Sequence, residues 1–265
     1  MKLNGVLSLF VLLLRGISQI FGREIIMITT FIFDVDDTLY DQLEPFSRAF
    51  EKHFIRFKDK VNIEELYKLS RKYSDEAFAS TGYEITKLRK MHIYRISKAF
   101  EELGIRITDE EALQFQLDYE TFQNEIKLID EFPQIFELLL QRGAKLGIIT
   151  NGANANQLRK IKQLGLEKWI ALENMLVSEA AGVSKPSKEI FEAMERRMGF
   201  SKNDVYYIGD NFDNDVVGAK AADWKTIWVN FRNHTARDSE IVATYVVEKP
   251  SDLLKLLERL AQDDL

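Results

Sequence analysis

The fold of this chain is constrained most by a series of short apolar runs rich in β-branched and aromatic residues. A run without polar alternation needs apolar cover on both faces, as a strand of a parallel sheet has between two layers of helices. The runs lie at 29–35, 145–151, 174–179, 205–210, 225–231 and, more weakly, 244–249. Helical stretches separate the later runs. This alternation predicts an α/β fold with a Rossmann-like, open parallel sheet and right-handed crossovers.

The connection between the first two runs is too long for a simple crossover. More than a hundred residues lie between Val35 and Lys145, whereas a crossover needs about a dozen or more. Apolar residues recur there at helical spacing, which predicts an inserted all-helical domain of four or five helices over the C-terminal edge of the sheet. Its predicted core positions are Phe46, Phe50, Phe54, Leu66, Leu69, Ile93, Ile96, Phe100, Leu113, Leu117 and Phe122. We therefore divide the chain into a core domain, residues 27–44 and 126–265, and a helical domain, residues 45–125.

Residues 1–26 are predicted to be a non-catalytic N-terminal extension. The apolar run from Val6 to Leu14 is too short to span a bilayer, and Arg15 stands where a signal-peptide cleavage site needs small residues. Met27 directly precedes the first predicted strand and is the expected functional start. We expect no stable membrane insertion. The alternative is an amphipathic membrane tether whose apolar face consists of Leu7, Val11, Leu14 and Ile17.

Composition excludes several classes of site. With 46% hydrophobic and 29% charged residues, the chain of 265 residues has the balance of a globular protein. Its 36 basic and 42 acidic residues give a formal charge of −6, which disfavours a nucleic-acid partner. The absence of cysteine excludes disulfides, thiolate metal sites and cysteine nucleophiles, and it agrees with the cytoplasmic location that we expect.

Two carboxylates follow the first predicted strand, at the edge where open parallel sheets bind ligands. Asp34 and Asp36 are two positions apart, so their side chains leave the same face if the strand continues through them. Such a pair offers a nucleophile with an acid/base, or two ligands of a hard cation. The alternative is an Asp-rich turn or helix cap.

The next two strand ends carry groups that suit an anion. Thr150, Asn151 and Gly152 offer a hydroxyl and backbone amides at a turn where glycine permits close approach. Lys185, which precedes Pro186, offers a positive charge that would balance carboxylates and a phosphate. The alternatives are an ordinary strand-to-helix turn and a solvated lysine.

The fourth strand end is strongly acidic. Asp210, Asp213, Asn214 and Asp215 lie within six residues. Carboxylates at this density repel one another unless a cation or a lysine offsets their charge, and Mg²⁺ would supply that offset. The alternative is an acidic loop in which Asp213 or Asn214 only caps the next helix.

The strings FDVDDT, ITNG, SKP and GDNFDND, in this order, resemble the four motifs of the haloacid dehalogenase superfamily. The inserted helical domain resembles the C1-type cap of that superfamily, and we call it the cap. The resemblance extends over about residues 28–250. The dehalogenases that gave the superfamily its name lack the second carboxylate, so Asp36 makes the chain resemble the phosphatase branch.

The resemblance implies a role for each motif residue. Asp34 would attack phosphorus and form an aspartyl-phosphate, while Asp36 would protonate the leaving oxygen and then activate the hydrolytic water. Thr150 and the amide of Asn151 would hold phosphoryl oxygens. Lys185 would offset the charge of Asp34 and of the phosphate, because a carboxylate and an anionic ester repel each other.

The resemblance also implies a magnesium ion as cofactor. Asp34, the backbone carbonyl of Asp36 and Asp210 would bind Mg²⁺, and Asp215 would fix a metal-bound water or Lys185. The cap would set specificity. Its expected contributors, inferred from location alone, are the segment from Tyr40 to Phe46, Tyr83, Arg89 and Tyr94.

The resulting hypothesis is a Mg²⁺-dependent phosphatase that hydrolyses a small phosphorylated metabolite, either a nucleoside monophosphate or a sugar phosphate. One alternative is a phosphomutase of the β-phosphoglucomutase type, which shares the same motif residues. The other is a non-catalytic binding or regulatory module with the same fold.

Overall fold

A computed structural model describes residues 29–81, 85–236 and 240–263. Six parallel strands form one sheet in the order β3-β2-β1-β4-β5-β6, which confirms the predicted α/β architecture. The strands are β1 (Thr30–Phe33), β2 (Lys145–Thr150), β3 (Met175–Val177), β4 (Val205–Gly209), β5 (Lys225–Val229) and β6 (Tyr245–Val247). Because β1 pairs with both β2 and β4, the residues that follow it lie at the centre of the C-terminal edge.

The first strand is shorter than the apolar run that predicts it. It ends at Phe33, and Asp36 forms an isolated bridge with Tyr40. The strand therefore does not continue through Asp34 and Asp36, although the argument that their side chains leave the same face required it to continue. The chain leaves the sheet because Asp37 adopts a left-handed conformation with φ of 55°, which turns the backbone toward the cap.

Of the α-helices described between β1 and β2, the first four belong to the inserted helical bundle. They are α1 (Leu43–Phe54), α2 (Ile63–Thr81), α3 (Ile85–Glu102) and α4 (Asp109–Phe122). Their apolar faces form a cluster separate from the core of the sheet. The ring of Phe46 lies 5.2 Å from that of Tyr67 and 5.0 Å from that of Phe115, both edge-on. The prediction that the many phenylalanines form the core of this bundle is confirmed.

One helix of the cap buries a different face from the predicted one. Leu117 is 48% exposed, and Leu113 and Phe122 are only half-buried. Phe115 and Tyr119, one turn apart, are buried instead, because their rings pack against Phe46 with centroids 5.0 and 5.8 Å away. Aromatic rings at i and i+4 bury more apolar surface than the leucine stripe beside them.

Helices cover both faces of the sheet. Along β1, alternate side chains point to opposite layers: Phe33 packs against α5 (Phe132–Gln141), whereas Ile32 lies in the layer of α8 (Lys188–Met198). The remaining helices of the core are α6 (Asn154–Gln163), α7 (Ser178–Ala181), α9 (Gly218–Ala221) and α10 (Pro250–Asp263). A π-helix, Phe212–Val217, precedes α9. This double cover explains why the strand sequences are continuously apolar.

The N-terminal extension at 1–26 and Tyr83 lie outside the described residues. Within the part of the chain that is described, no helix combines the length and apolar character needed to cross a bilayer.

Candidate active site

The C-terminal edge of the sheet and the cap enclose a cavity of about 530 Å³. Every predicted site residue lines it, namely Asp34, Asp36, Thr150, Asn151, Lys185, Asp210 and Asp215. These residues come from four separate segments that follow β1, β2, β3 and β4. The parallel sheet brings them together because all of its strands end at the same edge.

A buried lysine is the centre of the site. Lys185 Nζ donates to Asp34 Oδ1 at 2.8 Å, to Asp215 Oδ1 at 2.6 Å and to the hydroxyl of Tyr207 at 2.8 Å. All three donors of the ammonium group are thereby used. The two carboxylates raise the pKa of Lys185 against the opposing effect of its burial, so the lysine stays charged.

The loop that carries Lys185 is fixed from the neighbouring strand end. Asn151 Nδ2 donates to the carbonyl of Lys185, and the amide of Lys185 donates back to Asn151 Oδ1, both at 2.9 Å. Asn151 therefore positions the lysine through its side chain. Tyr207, which the sequence does not single out, holds Nζ from the other side and donates to the carbonyl of Ile149 at 2.9 Å.

Three carboxylates converge without enough compensating charge. Oxygens of Asp34, Asp210 and Asp215 all lie within 4.8 Å of one another. Burial raises the pKa of Asp34 to about 7, although Lys185 opposes the shift. Burial, followed by repulsion from Asp37 and Asp215, raises the pKa of Asp210 well above its ordinary value. A divalent cation would remove this cost, because oxygen ligands of this kind suit Mg²⁺.

Hydrogen bonds orient the carboxylate of Asp215 and fix the backbone at Asp210. Asp215 Oδ2 accepts from the amide of Asn211 at 2.9 Å, while Oδ1 is used by Lys185. The indole of Trp228 donates to the backbone carbonyl of Asp210 at 2.7 Å. Asn211, and neither Asp213 nor Asn214, caps the following helix, because its Oδ1 accepts from the amide of Asn214 at 3.0 Å.

Thr150 presents an unsatisfied hydroxyl to the site. The residue is 1% exposed, and no described residue forms a hydrogen bond with its Oγ1. A buried hydroxyl without a partner is costly, and a ligand oxygen would satisfy it. The amide of Gly152 is not available in the same way, because it donates to Ser178 Oγ at 2.9 Å.

Asp36 is held by Lys160 and Gln157, which the sequence analysis did not identify, and by Tyr40, which it expected to contribute to specificity. Lys160 Nζ contacts Asp36 Oδ1 at 2.6 Å and Oδ2 at 2.9 Å. Tyr40 donates to Oδ1 at 2.6 Å, and Gln157 Nε2 donates to Oδ2 at 3.0 Å. Although burial opposes it, the charge of Lys160 holds the pKa of Asp36 well below its usual range. The carboxylate is therefore ionised and oriented in this structure.

A sequence signal for two of these residues exists. Gln157 and Lys160 are three positions apart on α6, which begins just after the turn at Thr150 to Gly152. The first turns of a helix that follows a strand end point toward the ligand edge, so a polar pair at i and i+3 there is a candidate. Both side chains are buried, with Gln157 at 3% and Lys160 at 5% exposure.

Two of the expected specificity residues lie away from the cavity. Arg89 is exposed and Tyr94 is 40% exposed against Tyr73, and neither lines the cavity. Location in the sequence of the cap did not reveal which face of α3 points inward. Gln42, from the predicted segment between Tyr40 and Phe46, does line the cavity.

The chain is similar to several known proteins. It is 26% identical over 257 residues to the glyceraldehyde 3-phosphate phosphatase of Methanopyrus kandleri, covering 89% of this chain and all of that protein. It is 34% identical over 119 residues to the pyrimidine 5'-nucleotidase YjjG of Escherichia coli, covering 44% of this chain and 52% of that protein. The crystal structure of the putative HAD-hydrolase YfnB of Bacillus subtilis, bound to magnesium, superimposes with a TM-score of 0.65 at 26% identity, covering 87% of this chain and 98% of that one.

A family profile covers both the cap and most of the core. It describes the haloacid dehalogenase-like hydrolases and matches residues 31–229, a range that contains every predicted site residue. The match agrees with the sheet order and with the convergence of the four motifs at one edge. The chain belongs to the haloacid dehalogenase-like hydrolase family.

Proposed function

We propose that this hydrolase is a Mg²⁺-dependent phosphatase that removes phosphate from a small phosphorylated metabolite through an aspartyl-phosphate on Asp34. The observation that carries the proposal is the pair of contacts made by Lys185 Nζ, 2.8 Å to Asp34 and 2.6 Å to Asp215, beside the unsatisfied hydroxyl of Thr150. A carboxylate, a fixed cation and a free donor in one cavity suit attack on an anionic ester. The division into core and cap at residues 45 and 125 belongs to the same proposal.

Asp34 is the proposed nucleophile. Its Oδ1 is neutralised by Lys185, which reduces the repulsion between the carboxylate and an incoming phosphate. The hydroxyl of Thr150 and the backbone at Asn151 would bind phosphoryl oxygens. The bond from Asp34 to phosphorus forms as the ester oxygen leaves, and water then cleaves the aspartyl-phosphate and releases inorganic phosphate.

Asp36 is the proposed acid and base. It delivers a proton to the leaving oxygen in the first step and accepts one from water in the second. The contacts of Lys160 favour the ionised form that the second step needs. The first step needs the protonated form, so the Lys160 contact has to weaken when the substrate is bound.

The acidic cluster supports a metal requirement. Asp34 and Asp210 have pKa values raised by burial and by neighbouring carboxylates, so both sites gain from a divalent cation. We propose that Asp34, Asp210 and the carbonyl of Asp36 bind Mg²⁺, and that Asp215 acts through Lys185. When bound, the ion would supply positive charge at the phosphoryl oxygens.

The relatives support the substrate class. The protein from Methanopyrus kandleri is named for a triose phosphate and the one from Escherichia coli for pyrimidine nucleotides. A cavity of about 530 Å³ has the size of a site for a small molecule. We therefore propose a sugar phosphate or a nucleoside monophosphate as substrate.

The test is phosphate release by the purified chain from a panel of phosphorylated metabolites, with and without Mg²⁺. Asp34→Asn keeps the size of the side chain but removes the nucleophile, so we expect turnover to be lost. Asp130→Asn is the matched control, because Asp130 is exposed and outside the cavity lining. More than trace activity in folded Asp34→Asn would exclude Asp34 as nucleophile.

Analysis of the organic product separates the alternatives. A phosphatase releases inorganic phosphate, whereas a phosphomutase returns the phosphate to another position of the substrate. Tight ligand binding without either reaction would favour the non-catalytic module.

A further inference from the structure

The cavity has an acidic floor and a basic roof. The core contributes the carboxylates of Asp34, Asp210 and Asp215. The cap contributes four cationic side chains to the lining, Lys68, Arg71, Lys72 and Arg95, and two acidic ones, Asp75 and Glu120. Mg²⁺ and the phosphoryl group account for the floor, but the proposed reaction uses none of the cations of the roof.

Arg95 is a buried cation without an acidic partner. It is 8% exposed, and its guanidinium donates to Gln116 Oε1 at 2.7 Å and to Ser74 Oγ at 3.4 Å, both of which are neutral. Within the described part of the chain, no carboxylate lies within ion-pair distance of it. Glu120, on the same side, accepts from Gln116 Nε2 at 2.7 Å instead. Glu120 acts on Arg95 only through space. A buried charge is normally paired directly, so a guanidinium whose hydrogen-bond partners are both neutral is unusual.

Arg71 extends the same positive region toward the reacting groups. Its guanidinium has no hydrogen bond and no ion pair to any described residue, although it lines the cavity and interacts electrostatically with Asp36 and Asp75. The other two cations are engaged: Lys68 Nζ donates to the carbonyl of Arg232 at 3.3 Å, and Lys72 lies 3.5 Å from Glu102. Arg71 and Arg95 are therefore the cations left for a ligand.

We propose that Arg95 and Arg71 form a second anion-binding subsite, which binds a carboxylate or a second phosphate on the leaving group of the substrate. The proposal rests on the proposed phosphatase function and narrows its substrate class to phosphomonoesters that carry another anionic group. A guanidinium can bind either group through two hydrogen bonds. The substrate anion would supply the direct counter-charge that neither Asp75 nor Glu120 gives these two guanidinium groups.

Matched ester pairs test the proposal. The first pair is 3-phosphoglycerate and glycerol 3-phosphate, which differ in a carboxylate; the second is fructose 1,6-bisphosphate and fructose 6-phosphate, which differ in a phosphate. With Mg²⁺ and the full chain, we expect kcat/KM for the member with the additional anionic group to exceed that of its partner by about tenfold or more in at least one pair. Which pair shows the preference identifies the anion.

Three variants connect the preference to the subsite. Arg95→Met keeps an apolar stem without the charge. The preference should therefore fall about tenfold, mainly through a higher KM of the ester with the additional anionic group. Arg95→Lys keeps the charge and should retain part of the preference. Arg106→Met is the matched control, because Arg106 lies on the exposed surface of the cap and outside the cavity lining.

The outcomes are distinguishable. Equal kcat/KM within both pairs, or a preference that survives in folded Arg95→Met, would overturn the subsite while the phosphatase function stands. No phosphate release from any ester, with or without the additional anionic group, would contradict the phosphatase function itself and the subsite with it.

Discussion

The contact between Asp36 and Lys160 connects the proposed acid and base to α6, a helix outside the four sequence motifs. Lys160 approaches both oxygens of Asp36, at 2.6 and 2.9 Å, while Tyr40 and Gln157 are neutral donors to the same carboxylate. Without Lys160, the carboxylate would keep only the neutral donors and lose most of its orientation. Lys160 is thus a positioning residue that acts through Asp36.

Substitution of Lys160 should therefore affect esters according to their leaving group. We expect Lys160→Met to lower kcat for an alkyl phosphate by about tenfold or more, since the leaving oxygen needs a proton from a correctly oriented Asp36. The loss of this orientation outweighs the easier protonation of Asp36 without Lys160. The loss should be smaller for p-nitrophenyl phosphate, whose leaving group needs no proton. Steady-state kinetics on both esters measures the difference.

Lys162→Met is the control for that comparison, because Lys162 is exposed on the same helix and does not line the cavity. An equal loss for the two esters would show that Lys160 does not act through the acid function of Asp36.

A second residue-scale effect concerns pH. Burial, followed by the nearby charge of Arg95, lowers the pKa of His92 to about 3, and its 3.5 Å contact with Glu120 does not offset this. An unfolded histidine titrates near 6.5, so the unfolded chain binds the extra proton first as pH falls. The contribution of neutral His92 to stability is complete above about pH 6.5 and decreases toward pH 3.

Replacement of His92 should flatten this dependence. Between pH 7 and pH 5 we expect the wild type to lose about 1 to 2 kcal/mol more unfolding free energy than His92→Gln. Urea unfolding of both proteins at the two pH values measures the difference. Equal losses of unfolding free energy in the two proteins would mean that the pKa of His92 is not lowered in the folded chain.

At the scale of elements, helix α4 of the cap begins at a capping motif that can be recognised in the sequence. Thr108 caps α4: its Oγ1 accepts from the amide of Glu111 at 3.2 Å, and Glu111 Oε2 accepts from the amide of Thr108 at 2.8 Å. This capping box satisfies two backbone donors at the helix start.

Loss of this capping box should destabilise the fold without changing the catalytic reaction. We expect Thr108→Ala to lower the unfolding free energy by about 1 kcal/mol. Its kcat and KM should be unchanged, because Thr108 does not line the cavity. Thr121→Ala, in the last turn of the same helix, removes a hydroxyl that donates to the carbonyl of Leu117 and should cost less. Urea unfolding ranks the unfolding free energies of the two variants. Equal values would contradict a role for the capping box in stabilising α4.

The elements also show what sequence could and could not predict. The strands of the core were predictable because buried parallel strands are continuously apolar, and Asp34, Lys185 and Asp210 followed from their ends. The exact end of β1 was not, because the left-handed turn at Asp37 has no apolar signature. In the cap, Leu117 and Arg95 illustrate the limit: helical spacing gives several candidate faces, and only packing between helices selects one.

At the scale of the whole molecule, the site is assembled by long-range pairing. Asp34 and Lys185 are 151 positions apart, yet their side chains meet because β1 pairs with β2, whose end holds the loop of Lys185 through Asn151. The cap is tied to the core by further contacts: Arg232 of the core lies over the ring of Tyr67, and its carbonyl accepts from Lys68. The acidic cluster therefore exists only when the chain is folded.

Binding of Mg²⁺ should consequently stabilise the folded chain. A ligand that binds only the native state at ten times its dissociation constant contributes about 1.4 kcal/mol, which raises Tm by a few degrees for a chain of this size. We expect Mg²⁺ to raise Tm of the wild type and of Asp130→Asn, but not of Asp210→Asn, which lacks one carboxylate of the cluster. Asp210→Asn without Mg²⁺ should be at least as stable as the wild type, because the substitution relieves repulsion among buried carboxylates. Thermal unfolding at constant ionic strength measures both effects, and a Tm that rises equally in all three proteins would place the ion elsewhere.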